Sequence, residues 1–336
     1  MGRVILLSLL LFTGCGQSDS GLADLNEYLS RLSTVTGTAH ESQPLPRLDL
    51  APPAPEKAGP ASNQQIDLID FLSLTGCSLQ VNLGRRNTQL GRTASHSQRL
   101  LLDLEFLDLA PACIDLLESR GDTALAATIR VASDDREQSL PSAVFGAVLL
   151  GAEWREFWHA DPNLGDYPRQ TSSLIEQSVT SLSTMTAQWL EGDWSADNRA
   201  FELLLSEVRA GDGGELLLAT SQLVWALESA NALLKKTQSE RPFCPFGQPT
   251  ERSKALKRVV QQFFVANVQP WVVSLRRRAE LILEPTERLE TVLASSITQP
   301  YRHWMVARDA LLSKLTQMTR QHVQAVQATL TSCQQG

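Results

Sequence analysis

Apolar residues recur three and four positions apart along most of the chain, a spacing that predicts helices. Leu22, Leu25, Tyr28, Leu29 and Leu32 form one stripe and predict an amphipathic helix over residues 21–35. The period returns at Ile66, Ile69, Phe71, Leu72 and Leu74, and continues through Leu79, Leu83 and Leu90. Ser97 precedes a strong run from Leu100 to Leu109. Pro111 is expected to start a new turn and Pro141 to open a helix from Val144 to Trp158, because a first helical position needs no N–H donor. Asp122 or Thr123 can cap the helix between them.

Further helices are expected from Thr171 to Leu190, from Asp197 to Val208 and from Leu216 to Lys236, with Gly211-Asp212-Gly213-Gly214 as a break. Glu251 to Leu283 reads as one long helix with Pro270 inside it, where a proline costs ~3 kcal/mol or bends the axis. The bend is expected near Gln269. Pro285 is expected to open another helical stretch, and Tyr301 to Ser332 forms the last helix. Period-2 alternation is nearly absent, as is any repeat of 33–47 residues. The expected fold is all-α, an elongated or globular multi-helix bundle.

Residues 36–62 interrupt this pattern with Pro44, Pro46, Pro52, Pro53, Pro55 and Pro60, which favour an extended, polyproline-like path. The stretch is either a spacer or a strap across the helices; Leu45, Leu48 and Leu50 favour the strap, since a spacer has no use for them. Residues 63–336 form the helical domain, with a division into sub-bundles 63–240 and 241–336 as one option.

At the N-terminus, Arg3 precedes the nine-residue apolar run Val4 to Phe12. A membrane-crossing helix needs about 20 apolar residues, so the run predicts a signal peptide over residues 1–14. Thr13-Gly14-Cys15 resembles the bacterial lipobox, which implies cleavage before Cys15, acylation of its thiol and a tether over residues 15–20. Each buried lipid CH₂ contributes ~0.8 kcal/mol, so two or three chains hold a protein on the membrane. Gly16 stands where an Asp would favour inner-membrane retention, and the resemblance implies the periplasmic face of the outer membrane.

The chain has 30 Lys and Arg against 37 Asp and Glu, a net charge of −7, and cleavage would remove Arg3 as well. An acidic chain without a long basic run lacks the footprint of a nucleic-acid binder. Cys77, Cys113, Cys244 and Cys333 remain after Cys15, an even number that reads as two disulfides in an oxidising compartment. Three pairings are possible; Cys77–Cys113 with Cys244–Cys333 is favoured because each pair staples one half of the chain. No CxxC or CxxH spacing supports a zinc site, and no motif implies a cofactor.

Several residues could carry chemistry. Glu156 and His159 lie three apart beside Trp154 and Trp158, which would suit a glycan-binding or hydrolytic patch; the plainer alternative is a helix end with its indoles in the core. His303 could act as a base if a carboxylate were near it. Arg276, Arg277 and Arg278 fan around a helix, with Arg276 placed to pair with Glu280. Arg85, Arg86 and Asn87 lie near Asn82 and Gln89, where a structural hydrogen-bond network or a ligand site could form. No nucleophile elbow, phosphate loop or calcium loop is present, so no catalytic residue is assigned.

The lipobox, Asn26-Glu27-Tyr28-Leu29-Ser30-Arg31-Leu32, Cys77-Ser78-Leu79, Arg86-Asn87-Thr88-Gln89-Leu90-Gly91, Gln98-Arg99-Leu100 and Cys244-Pro245-Phe246-Gly247 together resemble a family of gammaproteobacterial lipoproteins of unassigned function. The resemblance covers nearly the whole chain after the signal and carries no catalytic residue with it. The expected function is that of a non-enzymatic, lipid-anchored envelope protein with an accessory or interaction role. The alternative is glycan or peptidoglycan binding or hydrolysis in a Trp-lined cleft.

Overall fold

The computed structural model describes residues 21–38, 51–54, 68–168 and 174–333. The signal segment, Cys15, the tether, Ile66, Thr171 and most of the proline-rich stretch lie outside the described residues. Among the described residues the fold is all-α, with no strand. Its helices are α1 (Gly21–Thr36), α2 (Leu68–Ser73), α3 (Leu79–Asn87), α4 (Gln89–Arg92), α5 (His96–Ser119), α6 (Thr123–Val148) and α7 (Ala152–Phe157). There follow α8 (Leu174–Leu190), α9 (Asn198–Arg209), α10 (Gly213–Glu240), α11 (Glu251–Val259), α12 (Gln269–Val292) and α13 (Gln299–Thr331).

Local chemistry sets several starts. Ser95 and Gln98 form a reciprocal capping box at α5, and Thr250 and Ser253 form one at α11. Asp197 accepts from the backbone N–H groups of Arg199 and Ala200 at the head of α9.

The prolines behave differently from the sequence expectation. Pro111, Pro141 and Pro285 lie inside α5, α6 and α12 rather than opening new helices. Each removes one backbone bond, at ~3 kcal/mol. Burial of the apolar residues around them, such as Phe106, Ala110 and Cys113 in α5, outweighs that loss. Before Pro270, where a bend is expected, the helix widens into a π segment, Val260–Val268, and the Gln269 N–H donates to the carbonyl of Phe264 five residues back. One widened stretch admits the proline while the helical backbone angles persist on both sides of the segment.

Two other boundaries move. The stretch from Val144 to Trp158 divides at Gly151, whose extended backbone caps α7. The expected break over residues 211–214 is shorter, because α10 already begins at Gly213. Glycine is required there by packing: a Cβ at Gly213 would press on the Trp158 ring, and one at Gly214 would overlap the His159 carbonyl.

Two apolar clusters form the interior. The larger takes residues from α1, α5 to α10, the π segment, α12 and α13, on both sides of residue 240. The smaller joins Leu74, Leu79 and Leu83 to Phe106, Leu117 and Ile129 under the Cys77–Cys113 disulfide. A second disulfide, Cys244–Cys333, ties the loop after α10 to the end of α13. Pro52 is buried, so the proline-rich stretch touches the body at that point.

Candidate functional site

Trp154 and Trp158, at 1% and 0% exposure, sit in the core, while Glu156 and His159 face solvent. The four do not line one cleft. The reason is the aromatic cluster beneath α7: Trp158 packs edge-on against Trp304 with centroids 5.2 Å apart, and Trp154 donates its indole N–H to the Tyr301 hydroxyl at 3.0 Å. His303, between Tyr301 and Trp304 in sequence, is exposed on the opposite side of α13.

That indole bond begins a buried polar chain. Tyr301 donates in turn to Glu290 Oε1 at 3.0 Å, and Glu290 accepts from both Arg308 Nη1 at 2.7 Å and Arg308 Nη2 at 2.9 Å. Both charged side chains are almost wholly out of solvent, at 0% for Arg308 and 3% for Glu290. The guanidinium carbon lies 5.3 Å from the Trp158 ring centroid and 5.0 Å from that of Trp304, so aromatic faces cover the charge where carboxylates do not. Burial opposes the charge of Arg308, but the bonds to Glu290 and a further one from Nε to Asp309 at 2.8 Å outweigh it and hold the guanidinium pKa above its ordinary value. Burial also pushes the Tyr301 hydroxyl well up, with Glu290 adding to the effect.

A second charged pair fixes the start of α10. Arg278 is buried and donates through Nε to Asp212 at 2.9 Å, so it leaves the solvated face on which Arg276 pairs with Glu280. Arg86 pairs with Asp103, which also faces Arg136 at 3.3 Å, and Arg85 pairs with Glu105. Buried Asn82 donates to Glu105 at 2.8 Å. These bonds join α3 to α5 and α6 as a structural network, with Asn87 exposed outside it.

A third polar group lies between α1, α10 and α13. His322 Nδ1 is 2.7 Å from Asn231 Oδ1, and its Nε2 is 2.7 Å from the Tyr28 hydroxyl. An amide oxygen only accepts, so Nδ1 donates to it and Nε2 accepts from Tyr28, which is the neutral imidazole. Burial lowers the His322 pKa to about 4. Asn231 also lines an open groove of about 520 Å³ between α10 and α13, together with Leu234, Lys235, Gln238 and Ala325. Among the described residues no three potential metal ligands gather.

The loop from Arg241 to Pro249 is organised from below. Phe243 is buried under the Arg252 guanidinium at 4.5 Å, and its carbonyl accepts from Thr250 Oγ1 at 2.6 Å. Arg252 also donates to the last carbonyls of α1, from Nε to Val35 at 2.9 Å and from Nη2 to Thr36 at 2.6 Å, so one cation caps a helix end. Above this base Phe246 is 96% exposed, with a left-handed backbone at φ 63°. A bulky residue rarely adopts that conformation.

Sequence reasoning did not single out Glu290, Arg308, Asn231 or His322, and the two that lie on α13 carry a signal that could have found them. Arg308 and His322 fall on the stripe Tyr301, Trp304, Leu312, Leu315 and Val326 of α13, where the helical period calls for apolar side chains.

Residues 25–335 match the family model described as protein of unknown function (DUF3080), and the chain belongs to that family. No curated protein and no solved structure matches it.

Proposed function

We propose that this DUF3080 member is a lipid-anchored envelope protein: acylated at Cys15, it stands on the periplasmic face of the outer membrane and serves an accessory or interaction role rather than catalysing a reaction. The observation that carries this reading is the cysteine pattern. Of five cysteines, four are joined as Cys77–Cys113 and Cys244–Cys333, which leaves Cys15 as the one thiol for acylation. Disulfides of this kind persist in an oxidising compartment such as the periplasm.

Two further features agree with it. No helix among the described residues is long and apolar enough to cross a membrane. The buried Glu290, Arg308, Tyr301 and His322 bond to one another or to neighbouring helices and hold the bundle together. A glycan platform on Trp154 and Trp158 finds no support, because both rings are covered.

Metabolic labelling with a palmitate analogue, followed by fractionation with a high-salt wash, tests the anchor. The wild-type chain should carry label and stay with the outer membrane, and Cys15→Ser should be unlabelled and periplasmic with both disulfides formed. Unlabelled wild-type protein, or Cys15→Ser retained after the wash, would overturn the reading. In-cell crosslinking tests the role, and recovery of no envelope protein across growth conditions would count against it.

A further inference from the structure

We infer that the loop from Arg241 to Pro249 is a membrane-contacting tip, with Phe246 entering the headgroup layer of an anionic lipid surface. This rests on the anchored reading above and adds a second contact to it.

The first support is the presentation of the ring. Phe246 is the most exposed large apolar residue described, and Pro242, Pro245 and Pro249 around it are exposed as well. Among the described residues nothing covers the ring, yet the backbone holds it outward in a left-handed conformation. The Cys244–Cys333 bridge, the Gly247 N–H bond to the Cys244 carbonyl at 3.2 Å and buried Phe243 fix the base of the loop. Insertion of such a tip orders no flexible chain.

The second support is charge. The end of α10, the loop and α11 carry exposed Lys235, Lys236, Arg241, Lys254, Lys257 and Arg258 against Glu240 and Glu251, and Glu251 is already paired with Lys254 at 2.8 Å. This basic end belongs to a chain of net charge −7. The resulting asymmetry turns the loop toward a negative surface. A pocket on a protein would take the ring alone, whereas cations on two helices flanking it match an extended anionic plane.

Geometry makes the contact compatible with the lipid anchor. α1 leads from Gly21 to Thr36, where Arg252 joins it to the loop. Its 16 residues span about 24 Å, so the loop lies about one helix length from Gly21, which follows Cys15 by six positions in the sequence. A chain already held by its lipid needs only a weak second contact, because tethering raises the effective concentration.

Vesicle flotation with the purified Cys15→Ser chain tests this apart from acylation. At low salt the chain should float with vesicles containing phosphatidylglycerol and not with pure phosphatidylcholine. Phe246→Ser should weaken binding about tenfold, the effect expected for losing part of one aromatic burial, while Phe246→Trp should retain it; raised salt should release both. Circular dichroism melts would show that the variants remain folded. No binding to anionic vesicles, or equal binding by wild type and Phe246→Ser, overturns the proposal. So does an effect of Phe246→Ser confined to crosslinks in cells, which would assign the loop to a protein. Failure of the anchor itself is read separately, by the palmitate label on Cys15.

Discussion

The Tyr28 hydroxyl donates to Nε2 of His322 across 2.7 Å, joining residues 294 positions apart and tying the first helix of the body to the last. The bond requires a neutral imidazole, and burial keeps the His322 pKa down at about 4. An unfolded histidine titrates near 6.5. Between these values the unfolded chain binds more protons than the folded one, so stability falls as pH drops from about 6.5 to about 4, losing ~3 kcal/mol in all. Urea unfolding across this range should show the slope, and His322→Gln, which can bond Tyr28 and Asn231 but does not titrate, should lack that part of it. Equal slopes in the two proteins would mean that His322 is not the group responsible.

The Glu290–Arg308 pair makes a prediction about singles and doubles. Glu290→Gln leaves a buried guanidinium with half its partner gone and should cost ~3–5 kcal/mol. Replacing both residues, as in Glu290→Leu with Arg308→Met, should cost less than the worse single substitution, because no buried charge is left uncompensated and Asp309, the other partner of Arg308, stays open to solvent. Tyr301→Phe removes the acceptor of the Trp154 indole and should cost ~1–3 kcal/mol. Denaturant midpoints decide the order, and a double variant weaker than both singles contradicts it.

Gly214→Ala tests the packing of α10 on the chain after α7. The added methyl would meet the His159 carbonyl, which is backbone and cannot swing aside. The expected loss is ~1–3 kcal/mol, the usual range for overpacking. Gly121→Ala is a control for space: a Cβ there meets nothing, although its φ of 83° still strains an L-residue. A larger loss at Gly121 than at Gly214 would show that backbone conformation, not the helix contact, dominates.

Most of this architecture was legible because helices write a local period into the chain. The stripe in α13 marked its buried face, and even the exceptions Arg308 and His322 were visible as polar residues in an apolar register. Their partners were not visible: Glu290 lies 18 positions from Arg308 and Tyr28 lies on the first helix, and no periodicity encodes such pairs. Prolines misled at 111, 141 and 285 because a local penalty of ~3 kcal/mol was weighed without the burial that offsets it. The Trp154 and Trp158 spacing fitted either face of a short helix, and only the aromatics of α13 decide which face is covered. Pro245 and Gly247 on either side of Phe246 mark a loop, but its outward direction depends on a left-handed backbone that spacing does not reveal.

That backbone yields the last prediction. A left-handed conformation costs an L-residue ~1–2 kcal/mol, and glycine is free of it. Glycine also gains entropy in the unfolded chain, which returns ~0.5–1 kcal/mol of the difference. The Phe246 ring is 96% exposed and contributes little burial to offset the strain. Phe246→Gly should therefore be neutral or stabilising by up to ~1 kcal/mol in urea unfolding, while weakening vesicle binding as Phe246→Ser does. Strain kept at a position where it does not help folding is what a functional tip requires. A clear loss of stability in Phe246→Gly would show instead that the ring packs against the body in solution, and the loop would then be a structural cap.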